Sequence, residues 1–289
     1  MYKKIVVVVL LTLASACGLA PEHVSAQVKL DTIATQRPKG NDHWTPNKYD
    51  FAQFFDETGI FFTQPLRWKA DDWLAVGLVG AATLLATKAD QPMRNFAFQD
   101  RSYVNSAPVE AGRIFGELYT PIALFAGIGG YSLITGDRTT HRIAYELGQA
   151  SLYGGALVFL TKVLVGRARP RTDEGPGSFH PSFSILFDNY HSFPSGHAAV
   201  AFVISTILAR NVTPLWLKII CYAPAVLTPI SRIYQDWHWT SDVVMGAAIG
   251  YFFGKWVVDR HEEQEGVKEQ KSSLQVTSFY PLTVSLALP

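Results

Sequence analysis

The chain has 289 residues, 48% of them apolar and only 17% charged, with a formal net charge of +1. This length suffices for one large domain or two small ones with a real core, and the near-zero charge excludes a global field that would recruit nucleic acid. A mean hydropathy of +0.11 is high for a soluble protein and low for a chain that is mostly bilayer helix.

The N-terminus has the layout of a secretory leader. "MYKK" is basic, "IVVVVLLTLASA" is apolar, and "VSA" places small residues before Gln27, so residues 1–26 are expected to be a signal peptide cleaved after Ala26. An uncleaved anchor helix is one alternative. A lipoprotein signal ending at Cys17 is another, although Ala14 stands where such signals prefer a bulky aliphatic residue. Every one of these readings exports the chain. Cleavage would leave Cys221 as the single cysteine, so no internal disulfide is expected and Cys221 reads as a packed core residue.

Residues 27–72 are polar but aromatic, with Trp44, Tyr49, Phe51, Phe54, Phe55, Phe61, Phe62 and Trp68. They fit either a cap packed on the domain or a segment lying at a membrane surface, where aromatic rings sit well. Helices are expected over 73–88, 119–135, 144–165, 198–210, 215–230 and 240–258, where Ala, Leu and Gly recur without the alternation of a strand. Several are short for a perpendicular span, and "AYELGQASLYGG" carries polar groups inside the third. The pattern predicts an all-α bundle of about six helices over residues 73–258, which could be membrane spans of modest length or the core helices of an all-α domain. Residues 89–118 read as a long polar link, 166–193 as a loop, and 136–143 as a turn with a helix start at Asp137. Residues 259–289 read as a charged linker and tail, with a possible short strand near the end.

Three polar clusters interrupt this pattern, each at the end of an expected helix. In "KVLVGRARPR", Lys162 closes the third helix and Arg169 follows seven residues on, before the helix-breaking Pro170. In "PSGH", Ser195 is a good N-cap, Gly196 admits close backbone approach, and the helix start offers unpaired N–H groups to an anion, with His197 at its mouth. In "SRIYQDWHWTSD", Arg232 ends the fifth helix, and His238 and Asp242 are four apart, a spacing that places both on one helical face. A carboxylate there could hold one imidazole nitrogen and leave the other free as a nucleophile. Each cluster alone has an ordinary explanation: cations favour helix C-termini, Ser caps helices, and His–Asp pairs are often structural. Together they place three cations, two histidines, one carboxylate and an anion-ready helix start at helix ends. That set suits a tetrahedral oxyanion and phosphoryl transfer through a phospho-histidine. A metal site on His197, His238 and Asp242 is disfavoured by the nearby cations, so no metal and no cofactor are expected.

The pattern Lys162-x6-Arg169-Pro170, Pro194-Ser195-Gly196-His197 and Ser231-Arg232-x5-His238-x3-Asp242 resembles the type 2 phosphatidic acid phosphatase (PAP2) superfamily, which includes lipid phosphate phosphatases, bacterial class A acid phosphatases and vanadium-dependent haloperoxidases. The resemblance covers about residues 70–258. It implies that Lys162, Arg169, Arg232 and the backbone around Ser195 and Gly196 hold phosphate oxygens. It implies further that His238 is the nucleophile, Asp242 orients and polarises it, and His197 protonates the leaving oxygen and then activates water. Arg171, His180 and His191 lie in the loop beside this set and could meet a headgroup or simply solvate the loop.

The hydrophobic helices favour the membrane lipid-phosphatase branch. The expected partners are a phosphorylated lipid and a membrane, with no nucleic acid. The candidate lipids are phosphatidic acid, phosphatidylglycerophosphate, a polyprenyl diphosphate and lipid A. The alternatives are a periplasmic acid phosphatase acting on small phosphomonoesters and a non-catalytic membrane protein that keeps the fold. Export suggests a site facing the periplasm. A cleaved leader followed by three spans would turn the site inward, so either 73–88 does not cross, the bundle is peripheral, or residues 5–20 are neither cleaved nor spanning.

Overall fold

The structure, a computed structural model, describes residues 48–181 and 188–266. The expected leader at 1–26 with Cys17, residues 27–47, and the tail beyond 266 with its expected strand lie outside the described residues.

Among the described residues the chain is all-α, with eight helices where about six were expected. They are α1 (Phe51–Thr63), α2 (Ala70–Gln99), α3 (Ala107–Phe115), α4 (Tyr119–Thr135), α5 (Arg138–Val165), α6 (Gly196–Arg210), α7 (Leu215–Tyr234) and α8 (Thr240–Gln264). The two extra helices are α1, inside the aromatic N-terminal segment, and α3, inside the expected polar link. That link shrinks further because α2 runs on past residue 88 and through Pro92 to Gln99. Its charges did not end the helix: Asp90 is buried and accepts from Ser241 N–H and Oγ and from Arg167. The α3 helix starts after Ser106 with Pro108 in its first turn, where a missing N–H costs nothing.

Helix ends follow local chemistry. The Asp137 carboxylate caps α5 by accepting from Thr139 N–H, and α5 ends at Gly166 with a left-handed φ of 60°. A Cβ at Gly166 would sit 1.8 Å from the His180 carbonyl oxygen, so this turn admits only glycine. Ser195 caps α6.

Helix α6 is the centre of the bundle, packed on α5, α7 and α8. Its Val203, Ile204 and Ile207 join Ile143, Leu147, Phe253 and Val257 in the core. The α6–α8 contact is a backbone seam. Gly246, Gly250 and Gly254 lie four apart on one face of α8, and a Cβ on the first two would stand 2.2 Å from Ser195 O and 2.1 Å from Ala199 O. Small residues at this spacing let two helix backbones touch.

The aromatic N-terminal segment divides its faces. Phe61 of α1 stacks on Tyr153 with ring centroids 4.7 Å apart and also meets Phe253 and Trp256, whereas Phe51, Phe55 and Phe62 are exposed. Glu57 of α1 is clasped by buried His261 of α8, which also meets Glu146 of α5. Burial opposes both charges, but the hydrogen bonds between them prevail, raising the His261 pKa to about 9 and lowering that of Glu57 to about 2. Cys221 is a half-buried free thiol packed against the core.

Helices α2 and α5 are long and apolar enough to cross a membrane, and α3 with α4, bent by 69° at their junction, pass the same test as a pair. Exposed Leu74, Leu78, Leu84 and Leu85 on α2 and Ile122 and Phe125 on α4 are the surface such helices offer to lipid.

The seam can be tested directly. Gly250→Ala places a methyl group in the α6 backbone and is expected to cost about 1–3 kcal/mol, read as a lower thermal midpoint in detergent. Gly59→Ala on α1, where a Cβ would meet nothing within 4 Å, is expected to hold the midpoint or raise it slightly through helix propensity.

Candidate active site

The expected residues meet at one end of the bundle. Lys162 comes from the last turn of α5, Arg169 from the loop after it, Ser195, Gly196 and His197 from the start of α6, Arg232 from the end of α7, and His238 and Asp242 from the turn into α8 and its first turn.

His238 is buried, and its Nδ1 is 2.7 Å from the Ser192 carbonyl oxygen. A carbonyl can only accept, so Nδ1 carries the hydrogen and the neutral ring keeps its lone pair on Nε2. Burial, followed by the charges of Lys162, Arg169, His197 and Arg232, holds its pKa well below the ordinary histidine value. The ring is therefore a neutral imidazole with Nε2 as its basic atom.

Two expectations about Asp242 are corrected. His238 and Asp242 do not share a helical face, because α8 begins at Thr240, after His238. The carboxylate accepts from Trp239 N–H at 2.8 Å, capping its own helix and fixing that start. Nor do the two side chains hydrogen-bond: Asp242 Oδ2 is 3.7 Å from His238 Nδ1. The carboxylate is occupied by Trp239 N–H, by Arg167 Nη1 at 2.6 Å and by Ser192 Oγ at 2.5 Å. Its effect on His238 runs through Ser192, whose hydroxyl it holds and whose carbonyl holds the ring. The Asp242 backbone carbonyl also takes the Ser195 N–H at 2.9 Å.

Arg167, Asp90, Ser192 and Ser241 form a buried network that sequence reasoning missed. Arg167 bridges the two carboxylates, donating to Asp242 and, at 2.7 Å, to Asp90, and it also binds Ser241 Oγ at 2.7 Å. The available signal was weak. Arg167 stands two residues before Arg169 in "GRARPR", and Asp90 lies 77 residues away among the charges Lys88 and Arg94 of α2, with nothing local to mark it.

The cations form a second group. Lys162 Nζ donates to the His191 carbonyl at 2.5 Å. Arg169 is held by Asp188 at 2.6 Å and by the carbonyls of Asp188 and Trp237, with its guanidinium over the Trp237 ring. Arg232 is 2% exposed, and its buried Nη2 has no hydrogen-bond partner. Its Nη1 faces His197 Nε2 at 3.3 Å. Gly196 has room for a Cβ, with Lys162 Cε 3.9 Å from that position, so its use is at the ligand side rather than in packing. The His197 and His238 ring centroids are 6.4 Å apart. Buried donors outnumbering carboxylates around a neutral imidazole are the chemistry of an oxyanion site.

Of the loop residues, Arg171 stacks on Trp237 and pairs with Asp188, and His180 pairs with Glu174 at the surface. His191 is buried beside Lys162, and its Nε2 has no partner.

Known proteins resemble this chain in sequence. A PAP2 superfamily model matches residues 145–265. A lipid A 1-phosphatase from Rhizobium johnstonii is 30% identical over 204 residues, covering 65% of this chain and 79% of that protein. A lipid A 1-phosphatase from Porphyromonas gingivalis is 35% identical over 122 residues, 40% of this chain but only 24% of the relative. The solved transmembrane PAP2 type phosphatidylglycerolphosphate phosphatase from Bacillus subtilis is 22% identical, with 65% of this chain and 96% of that one aligned at a TM-score of 0.48. The family match takes in α5 from Tyr145 through α8, the stretch that supplies every expected site residue, and the chain belongs to the PAP2 superfamily as a PAP2-type phosphatase.

Proposed function

We propose that the chain releases phosphate from a lipid phosphate or diphosphate through a metal-independent phospho-histidine route, at a site facing the periplasm. The observation that carries this reading is the tautomer of His238. A ring held at Nδ1 by the Ser192 carbonyl, kept neutral and ringed by Lys162, Arg169 and Arg232, is a nucleophile beside an oxyanion cradle.

In the first step His238 Nε2 attacks phosphorus. The N–P bond forms as the bond to the leaving oxygen breaks, and that oxygen takes a proton from His197. Lys162, Arg169, Arg232 and the α6 N-terminus stabilise the equatorial oxygens. In the second step water attacks the phospho-histidine, giving its proton to His197, and the N–P bond breaks to release inorganic phosphate. Asp242 and Arg167 position Ser192 and thereby His238. The lipid preference rests on the exposed apolar helices and on the relatives named lipid A 1-phosphatase, which puts lipid A first among the candidates.

The test is phosphate release by the detergent-solubilised protein with EDTA present, comparing lipid A, phosphatidic acid, a polyprenyl diphosphate and a small aryl phosphate. Release that favours a lipid and falls by roughly 10³-fold or more in His238→Ala, the scale of losing an essential catalytic group, is expected. Release mainly from the aryl phosphate would replace this reading with the small-phosphomonoesterase one. The pH profile gives a second check. Because the active His238 is the neutral form and its pKa is depressed, activity is retained as pH falls below the ordinary histidine value of 6.5, and the acid limb of kcat/KM lies below that point. In Arg167→Lys a single ammonium cannot bridge Asp90 and Asp242 with a planar fork. Turnover should drop by about tenfold or more with little change in KM, since the loss is one of positioning.

A further inference from the structure

We propose that Glu117, outside the three sequence clusters, is the positioning residue that draws a proton onto His197 for its role as acid once substrate occupies the site. This rests on the phospho-histidine reading above and adds to it the group that sets the charge of the acid.

Glu117 lies in the bend between α3 and α4, and its Oε1 is 3.4 Å from His197 Nε2. The same Nε2 is 3.3 Å from Arg232 Nη1. These neighbours demand opposite things of one atom. A guanidinium can only donate, so it favours a bare Nε2; a carboxylate can only accept, so it favours Nε2–H and, with it, the imidazolium. The other groups around the ring side with Arg232: burial and Lys162 of α5 act in the same direction and together outweigh Glu117, so the ring of the unliganded site sits below the ordinary histidine value. His238, in the turn before α8, is held neutral and contributes no opposing charge. Glu117 is thus the group facing His197 that favours the charged acid.

The carboxylate is itself held in place. Arg113 Nη1 donates to Glu117 Oε1 at 3.0 Å, Arg113 Nε donates to Glu110 at 2.7 Å, and Glu110 accepts from Gln235 at the end of α7 at 2.8 Å. Tight packing supports the arrangement, because a Cβ on Gly116 would stand 2.9 Å from His197 Cβ. When substrate phosphate engages the Arg232 guanidinium, His197 Nε2 is left to Glu117, so protonation of the acid follows arrival of the group it must protonate.

The experiment compares the full chain with Glu117→Gln and Glu117→Asp, and with His238→Ala as control, in detergent. Two substrates are used: a lipid phosphate with an alkoxide leaving group and nitrophenyl phosphate. An alkoxide needs a proton to leave and a nitrophenolate does not. Glu117→Gln is expected to lower kcat on the lipid phosphate by about 10–100-fold, within the range of general-acid effects, and to change nitrophenyl phosphate turnover by less than about threefold. The alkaline limb of the lipid-phosphate profile should move to lower pH, because the acid loses its proton more readily without the carboxylate. Glu117→Asp should recover part of the lipid-phosphate rate. Equal loss on both substrates, an unmoved alkaline limb, or an aspartate variant no better than glutamine would overturn the proposal while leaving the phosphatase reading intact. A wild-type protein without His238-dependent release would overturn both.

Discussion

Asp242 holds the site together. It is fully buried, and its two oxygens and backbone carbonyl reach three separate chain segments: the loop that carries Ser192, the start of α6 at Ser195, and the loop arginine Arg167. It also caps the helix it sits on. A buried carboxylate is costly unless paired and hydrogen-bonded, and here both oxygens are engaged, Oδ1 by Arg167 and Oδ2 by Ser192 and Trp239. Arg167 offsets its charge and is shared with Asp90 of α2, so a helix expected to face lipid is drawn into the frame of the site by one guanidinium.

This explains why His238 is held by a main-chain carbonyl rather than by the carboxylate itself. Direct contact with a buried anion would raise the basicity of the ring and favour its protonated, non-nucleophilic form. With Ser192 between them, the carboxylate sets the position of the ring while the cations keep it neutral. The same separation leaves the positive charge of Lys162, Arg169 and Arg232 incompletely offset within the protein, and an arriving phosphate supplies the missing negative charge.

The three clusters were legible because each lies within a few residues of sequence and each residue type has a chemical reason to stand at a helix end. Ser195 and Asp137 were readable as caps for the same reason. What could not be read depends on contacts across the fold. Asp90 and Arg167 are joined only when α2 lies against α8, and Glu117 reaches His197 only because α3 and α4 bend by 69°. The α2 helix looked shorter than it is because charges at Lys88 and Asp90 resemble a helix end when their partners are unknown. The short α3, nine residues that include Pro108 and Gly112, is too brief to show a helical period. His238 and Asp242 had the spacing of a helical pair, but the capping bond of Asp242 moved the helix start past His238, a choice that periodicity does not encode.

The glycine seam between α6 and α8 bears on how the protein lives with its bilayer. A helix mismatched to membrane thickness responds by tilting, and separate helices can tilt by different amounts. Two helices in backbone contact at Gly246, Gly250 and Gly254 have no such freedom: sliding by one turn would be a step of about 5.4 Å against carbonyl oxygens already at contact. The helix that carries Ser195 and His197 and the helix that carries Asp242 therefore move as one body, whatever the surrounding spans α2 and α5 do. The spacing between His197 at the start of α6 and Asp242 in the first turn of α8 is thus fixed by main-chain contact rather than by side chains that could repack.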